Sequence, residues 1–214
     1  MYKKRALFYP CAGRDIDSPV RAFESFVDEF WFVDTSPKTY GRQLLLPIKV
    51  RTENVETTRS TLTGTKFQVI THRYKTTHFN KTIEIHLVTG DGITVFHRLF
   101  CSSEADRSLA VFFHRGDSRG EGGSDVYWLS NVDGDGNPNT LLAEVLRTIS
   151  KPGVLCTDGS NAEPMLAQYF NDHNAPPNAH MQVDEVAMHG CILSPIGTLD
   201  AKYGQTIAWQ VKEQ

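Results

Sequence analysis

Residues that could hold a polar or anionic ligand follow the first apolar segment of the chain. Cys11-Ala12-Gly13-Arg14-Asp15 comes directly after the apolar run Ala6 to Tyr9 and leads toward a helix. The free backbone N–H groups at a helix start favour a polar or anionic group. Asp34 ends the next apolar run, 21 positions after Gly13, close to the spacing of about 20 at which an acid binds ribose hydroxyls. These features predict a site for a nucleotide-type ligand, with binding residues Cys11, Ala12, Gly13, Asp15 and Asp34.

A second chemically dense stretch is the loop from Arg115 to Ser124, which follows another apolar run. Its four glycines permit close backbone approach to a ligand, because glycine adopts conformations that other residues avoid. Arg115, Asp117 and Glu121 could clamp a polar substrate or supply a general base, and we take these three as candidate catalytic residues. The alternative for this segment is a surface loop with solvated charges.

The sequence does not predict a metal site. The eight histidines include no H-x-x-x-H or H-x-H pair, and His72, His86 and His97 would have to converge across separate strands. The segment from Asn131 to Asn139 is similar to the start of an EF-hand loop. Its twelfth position is Leu142, however, where a bidentate glutamate is required, so we interpret it as a turn.

A β-α-β unit is predicted to position the first candidate site. Ala6 to Tyr9 has the continuous apolar character of a buried parallel strand. Ser18 is a candidate helix N-cap with Pro19 at the first helical position, and apolar residues then follow at helical spacing. Phe30 to Val33 is predicted to be the second strand.

Residues 44 to 100 show a different pattern, which predicts an antiparallel elaboration of the sheet. Lys66 to Tyr74 and Lys81 to Thr89 are predicted strands. In the second, apolar residues alternate with Thr82, Glu84 and His86, which predicts a sheet with one solvated face. Gly90-Asp91-Gly92 predicts a tight turn into a further strand, Ile93 to Leu99.

The remaining elements complete a mixed α/β pattern. Ala110 to Phe113 is a predicted buried strand, and Asn139 can cap a helix that Pro152-Gly153 would end before a strand from Gly153 to Thr157. Ser160 with Glu163 matches a capping box for a further helix. The last predicted strands form an antiparallel pair at the sheet edge, Cys191 to Pro195 and Gln205 to Val211.

Composition and charge narrow the class of protein. The chain has 214 residues with 40% hydrophobic and 22% charged residues, which predicts one globular domain over residues 1–214. The formal net charge of −3 gives no reason to expect a nucleic-acid partner. No stretch approaches the roughly 20 apolar residues of a membrane span, and the four cysteines are widely separated. We therefore expect no membrane partner and a cytoplasmic location.

The order of these features resembles that of the class I S-adenosylmethionine-dependent methyltransferases. A strand, a glycine loop, a helix and a strand with a terminal acid are followed later by a helix that ends in Lys151-Pro152-Gly153 and by a closing strand, Tyr203 to Val211. The resemblance implies a Rossmann-like mixed sheet, with an antiparallel C-terminal strand pair and an inserted antiparallel hairpin region.

The same resemblance implies roles for individual residues and a cofactor. Gly13 matches the middle glycine of the family's first motif, Asp34 the ribose-binding acid and Asp91 the acid near the adenine. The loop from His114 matches the position of the catalytic or substrate loop. These matches imply S-adenosylmethionine as the cofactor and methyl transfer to a small molecule or another substrate that the sequence does not identify.

Two alternatives come from the residues themselves. Where the family has an acidic-x-Gly-x-Gly-x-Gly motif, this chain has Tyr9-Pro10-Cys11-Ala12-Gly13-Arg14-Asp15, so the acid and two of the three glycines are replaced. This pattern is compatible with a catalytically inactive binding or regulatory module. A third hypothesis is a metal-dependent hydrolase that uses Asp117, Glu121 and Asp158.

Overall fold

The computed structural model describes residues 3–13, 15–35, 52–76, 79–103, 105–115, 128–129, 140–157, 185–201 and 204–214. These residues fall into two compact units, Met1–Leu109 and Ala110–Gln214. The prediction of a single domain stays a prediction. The described part of the chain is a mixture of α and β structure that is rich in strands and has few helices. None of its helices has both the length and the apolar character that crossing a membrane requires.

The first unit begins with the predicted β-α-β arrangement, which is confirmed. Strand β1 (Lys4–Pro10) and strand β2 (Glu29–Asp34) pair in parallel, with helix α1 (Asp17–Phe23) between them in the chain. Both strands are almost wholly buried, as their continuous apolar character predicts. The helix begins before Ser18, with Ile16 as its N-cap. Pro19 is tolerated there because N–H groups in the first turn have no partner within the helix.

Three further strands extend this sheet, in the order β3-β4-β5-β2-β1. They are β3 (Thr52–Thr61), β4 (Gln68–Thr76) and β5 (Lys81–Thr89). The antiparallel pairing of β3 with β4 and of β4 with β5 confirms the predicted elaboration. Strand β5 has a second role that the sequence did not predict, because it also pairs in parallel with β2. The first unit thus has three adjacent parallel strands, β5, β2 and β1.

The prediction of a strand from Ile93 to Leu99 is wrong. The chain instead forms a short helix, α2 (Gly92–Phe96), which continues as a π-helical turn through His97–Cys101. The Asp91 side chain caps this helix by accepting a hydrogen bond of 2.7 Å from the Thr94 N–H. Phe96 is buried and lies edge-on to Phe8, with 5.4 Å between ring centroids. Capping and burial therefore override the strand preference of the β-branched residues in this segment.

The second unit contains strands in the order β6-β7-β10-β9-β8 and helix α3. Their bounds are β6 (Arg107–His114, which begins in the first unit), α3 (Thr140–Thr148), β7 (Ile149–Thr157), β8 (Val186–Met188), β9 (Cys191–Ala201) and β10 (Gly204–Glu213). The antiparallel pairing of β9 with β10 confirms the predicted C-terminal pair.

Two details of the second unit differ from the prediction. Strand β10 is not at an edge, because it also pairs with β7, and β8 covers the other side of β9. Helix α3 ends at Thr148 and β7 starts at Ile149, so Pro152 and Gly153 lie within a strand. The apolar face of α3 is buried as predicted, through Leu142, Val145 and Leu146.

Candidate ligand-binding site

The three parallel strands of the first unit bring the segments after them to one edge of the sheet. Strands β1, β2 and β5 run side by side in the same direction, so their carboxyl ends lie together. The segments that follow contain Cys11 to Gly13, Asp34 and Asp91 respectively. In open α/β sheets, ligands bind beyond these carboxyl ends. The sequence-predicted residues of this unit therefore lie at the edge where a ligand site is expected.

The segment after β1 has an unusual backbone. Cys11 and Gly13 both have left-handed conformations, with φ of 55° and 54°. This conformation is uncommon for a residue other than glycine, and such strain is found preferentially at functional sites. No described atom lies within 4 Å of the position that a Cβ on Gly13 would occupy. The space beside Gly13 is thus open with respect to the described residues.

Asp34 lies in direct contact with this segment. Its Oδ2 accepts a hydrogen bond of 3.1 Å from the Gly13 N–H, and the Ala12 N–H donates to the Val33 carbonyl oxygen at 3.2 Å. The Gly90 N–H donates to the Asp34 carbonyl oxygen at 2.9 Å. The structure therefore joins the segments after all three parallel strands at Asp34.

Asp15 is held by a residue that the sequence did not single out. The Tyr9 hydroxyl donates a hydrogen bond of 3.3 Å to Asp15 Oδ2, and the Asp15 N–H donates to the Ala12 carbonyl oxygen at 2.9 Å. Tyr9 lies in β1, and it is buried. This contact keeps a carboxylate within the segment between β1 and α1.

Asp91 has a structural role in the described contacts. Its Oδ1 accepts hydrogen bonds from both the N–H and the hydroxyl of Thr94, at 2.7 and 2.6 Å. It is exposed and lies two residues after the end of β5. The structure thus explains Asp91 as a helix cap, while a contact with an adenine stays a prediction.

Of the predicted catalytic residues, only Arg115 lies among the described residues. In the second unit, its Nε donates a hydrogen bond of 2.6 Å to the Thr206 hydroxyl, and its guanidinium lies 5.1 Å from the centre of the Phe113 ring. Asp117 and Glu121 lie outside the described residues. So do Arg14, Asp158, the capping box from Ser160 to Glu163 and the segment from Asn131 to Asn139.

A buried ionic cluster, which the sequence did not predict, lies around the first residue of β2. Glu29 is only 2% exposed. It accepts hydrogen bonds from the Trp31 indole Nε1 at 3.1 Å and lies 2.8 Å from Lys4 Nζ and 3.2 Å from Arg107 Nε. The same lysine nitrogen lies 2.8 Å from Oε2 of Glu84. Burial of Glu84 opposes its ionisation, but the hydrogen bond and charge of Lys4 outweigh this effect and lower the pKa of Glu84.

His86 completes this cluster. Its ring stacks on Trp31 with centroids 3.8 Å apart, its Nδ1 lies 2.8 Å from the Thr71 hydroxyl and its Nε2 lies 3.6 Å from Glu84 Oε2. The alternation in β5 predicted a solvated side chain here, which is wrong because Trp31 of the neighbouring strand covers it. Burial lowers the pKa of His86 to about 3. The imidazole is therefore neutral at pH 7.

His72 and His97 do not join His86. His72 lies on β4, where its Nδ1 is 2.9 Å from the Thr57 hydroxyl, and burial lowers its pKa. His97 is exposed in the π-helical turn after α2. The three histidines therefore have separate environments.

Comparison with known proteins gives a likeness in structure but no match to a family model or a curated protein. Among solved structures, the chain is similar to Trm1 from Pyrococcus horikoshii in complex with S-adenosyl-L-methionine, with a TM-score of 0.47 and 14% sequence identity. The match covers 99% of this chain and 51% of that one. The chain thus spans about half the length of the protein it matches.

Proposed function

We propose that the first unit binds S-adenosylmethionine at the carboxyl edge of β1, β2 and β5, and that the protein transfers a methyl group to a substrate. The observation that carries this proposal is the hydrogen bond from the Gly13 N–H to the Asp34 carboxylate. It places an acid from the end of β2 against a left-handed glycine after β1. A glycine loop and a ribose-binding acid at the ends of neighbouring parallel strands would face the same ligand.

A carboxylate suits the role proposed for Asp34. When ionised it only accepts hydrogen bonds, and several donors, such as the Gly13 N–H and the hydroxyls of a ribose, can share one carboxylate. The open space beside Gly13 supports close approach of a ligand to the backbone at this point. Cys11, Ala12 and Asp15 belong to the same segment and are the proposed neighbours of the ligand.

S-adenosylmethionine would supply an electrophilic methyl group on a sulfonium. The residues of this chain would then orient the ligand through Asp34 and the backbone at Gly13. Arg115, Asp117 and Glu121 stay the proposed substrate-side residues, in which the arginine would orient a polar substrate and a carboxylate would accept its proton.

Calorimetric titration with S-adenosylmethionine and S-adenosylhomocysteine tests this proposal. We expect both to bind, and Asp34→Asn to weaken the affinity by about tenfold, because the amide keeps an acceptor for Gly13 but loses the charge that strengthens hydrogen bonds to a ligand. Asp106→Asn makes the same chemical change at an exposed position and should leave the affinity unchanged. Absence of binding by the folded protein up to millimolar ligand would contradict the proposal.

A second candidate function is a binding or regulatory module without catalysis. Two observations favour it: Tyr9 replaces the acid of the first motif and donates to Asp15, and the Asp91 carboxylate caps α2. This candidate predicts either no cofactor affinity or affinity without turnover. Transfer of a labelled methyl group to any isolated substrate would exclude it.

A further inference from the structure

A group of potential metal ligands lies away from the carboxyl ends of the parallel strands. One ligand atom each from Glu29, Glu84 and His86 lies within 4.8 Å of the others. Glu29 is the first residue of β2 and pairs in register with Glu84 on β5. We refer to these three residues together with Lys4 as the Glu29 cluster.

The His86 ring has one nitrogen that the described residues leave without a hydrogen bond. Its Nε2 is buried and has no hydrogen-bond partner, although it points toward the Glu84 carboxylate at 3.6 Å. The stacking on Trp31 and the contact with Thr71 fix the orientation of the ring. When Nδ1 donates its proton to Thr71, Nε2 presents a bare lone pair to a carboxylate oxygen. A cation between the two atoms would remove this repulsion.

The cluster already holds a positive charge at the position between its carboxylates. The Lys4 ammonium lies 2.8 Å from an oxygen of Glu29 and 2.8 Å from an oxygen of Glu84. Its side chain is 51% exposed, whereas that of Glu29 is 3% exposed. The lysine can therefore move into solvent while the carboxylates remain in place. Arg73 and Arg107 also face the cluster, and their charges would weaken the binding of a further cation.

We propose that the Glu29 cluster binds a zinc ion through Glu29, Glu84 and His86 Nε2, with the ion replacing the Lys4 ammonium. One imidazole and two carboxylates are a ligand set that zinc accepts, and a water would complete four-fold coordination. Bond lengths of about 2.0–2.2 Å place neighbouring ligand atoms about 3.3–3.6 Å apart. The ligand atoms, which lie within 4.8 Å of one another, would therefore approach by up to about 1.5 Å. The Trp31 and Thr71 contacts orient the ligands, as outer partners do in metal sites.

Calorimetric titration of chelator-treated protein with zinc chloride tests the site. Three variants measure the contributions of individual residues to zinc affinity. Lys4→Met removes the competing cation and should bind zinc at least about tenfold more tightly than the unaltered protein, because the ion no longer has to displace a positive charge from the two carboxylates. His86→Asn keeps an amide near the Nδ1 position for Thr71 but removes Nε2, and should weaken binding by about 100-fold. His72→Asn alters the matched histidine–threonine pair on β4 and should leave zinc binding unchanged.

The zinc affinities of these variants can either support or overturn the proposal. The proposal would be overturned if zinc bound Lys4→Met no more tightly than the unaltered protein. It would also be overturned if His86→Asn bound zinc as tightly as the unaltered protein. Lys4 has an exposed side chain, so its variant settles the question even where His86→Asn lowers stability. Retention of one zinc per chain by purified Lys4→Met, measured by elemental analysis, would give independent support.

Discussion

Glu29 shows how one buried charge depends on its neighbours. The Trp31 indole N–H donates to its carboxylate, the positive groups of Lys4 and Arg107 lie beside it, and only 2% of the residue is exposed. Such a group is stable because the positive charges and the indole N–H compensate for lost hydration. Replacing Glu29 by a neutral residue leaves Arg107, whose side chain is 18% exposed, without its buried partner. The cost of a substitution should therefore exceed that of an exposed ion pair.

We expect Glu29→Gln to lower the free energy of unfolding by about 2–4 kcal/mol, since breaking one side of a buried pair is more costly than losing both partners. Urea denaturation followed by circular dichroism would measure the loss. Glu56→Gln is the matched control, because Glu56 pairs with Arg73 where both side chains are about half exposed, 47% and 50%. A Glu29 variant as stable as this control would show that the buried contacts contribute little.

Some contacts of the candidate site could be predicted from the sequence, and others could not. The spacing between Gly13 and Asp34 predicted their proximity, and the hydrogen bond between them confirms it. The hydrogen bond from Tyr9 to Asp15 was not predicted, because a tyrosine in an apolar run is indistinguishable from a core residue until its hydroxyl is placed. The stacking of His86 on Trp31 depends on the pairing of β2 with β5. The pattern within one strand does not reveal which distant strand pairs with it.

At the scale of elements, α2 is the clearest departure from the prediction. Ile93, Thr94 and Val95 are β-branched residues, which favour strands. Asp91 decides otherwise, since its side chain satisfies an N–H at the helix start and the buried Val95, Phe96 and Leu99 share one face. The position of β10 between β7 and β9 was missed for another reason. A local pattern identifies a strand but does not determine its neighbours.

The capping role of Asp91 can be measured directly. We expect Asp91→Ala to reduce the free energy of unfolding by about 1 kcal/mol, the usual value of a lost helix cap. Asp91→Asn should cost less than half of this amount, because its amide oxygen can still accept from the Thr94 N–H. Chemical denaturation of both variants makes the comparison. Equal losses in the two would indicate that the charge of Asp91, and not its hydrogen bond, stabilises the fold.

At the scale of the whole molecule, buried histidines should set the acid sensitivity of stability. Burial lowers the pKa of His86 from its ordinary value of 6.5 to about 3. The unfolded chain therefore takes up a proton below pH 6.5 that the folded chain does not. The contribution of neutral His86 is fully present above pH 6.5 and decreases as the pH falls from there toward 3. The lowered pKa of His72 acts in the same direction.

We expect the free energy of unfolding to fall by about 2 kcal/mol between pH 6.5 and pH 5, at roughly 1.4 kcal/mol for each pH unit per proton. Urea denaturation over this range, in the presence of a chelator, gives the slope. His86→Asn should have a smaller slope, because asparagine does not titrate. The lowered pKa of Glu84 affects stability mainly below the ordinary value of 4.5. It therefore contributes little to the change in stability between pH 6.5 and pH 5. An unchanged slope in the variant would contradict this assignment.

The parts of the first unit that could be predicted are those formed by residues close together in the sequence. The buried runs that became β1 and β2, and the helix between them, could be identified from residues close in sequence. The contribution of β5 as a third parallel strand could not, because its pairing with β2 joins residues that are 55 positions apart in the sequence. This long-range pairing also brings the segment before Asp91 to Asp34.

The hydrogen bond between Gly13 and Asp34 has a spectroscopic consequence. An amide proton that is donated to a carboxylate resonates further downfield than one donated to water, and the nitrogen shifts of glycine amides occupy a separate region of a two-dimensional spectrum. A molecule that competes for the Asp34 oxygens would lengthen this bond and move a single, easily assigned peak. The protein therefore contains its own NMR reporter for screening small-molecule libraries at the edge of β1 and β2.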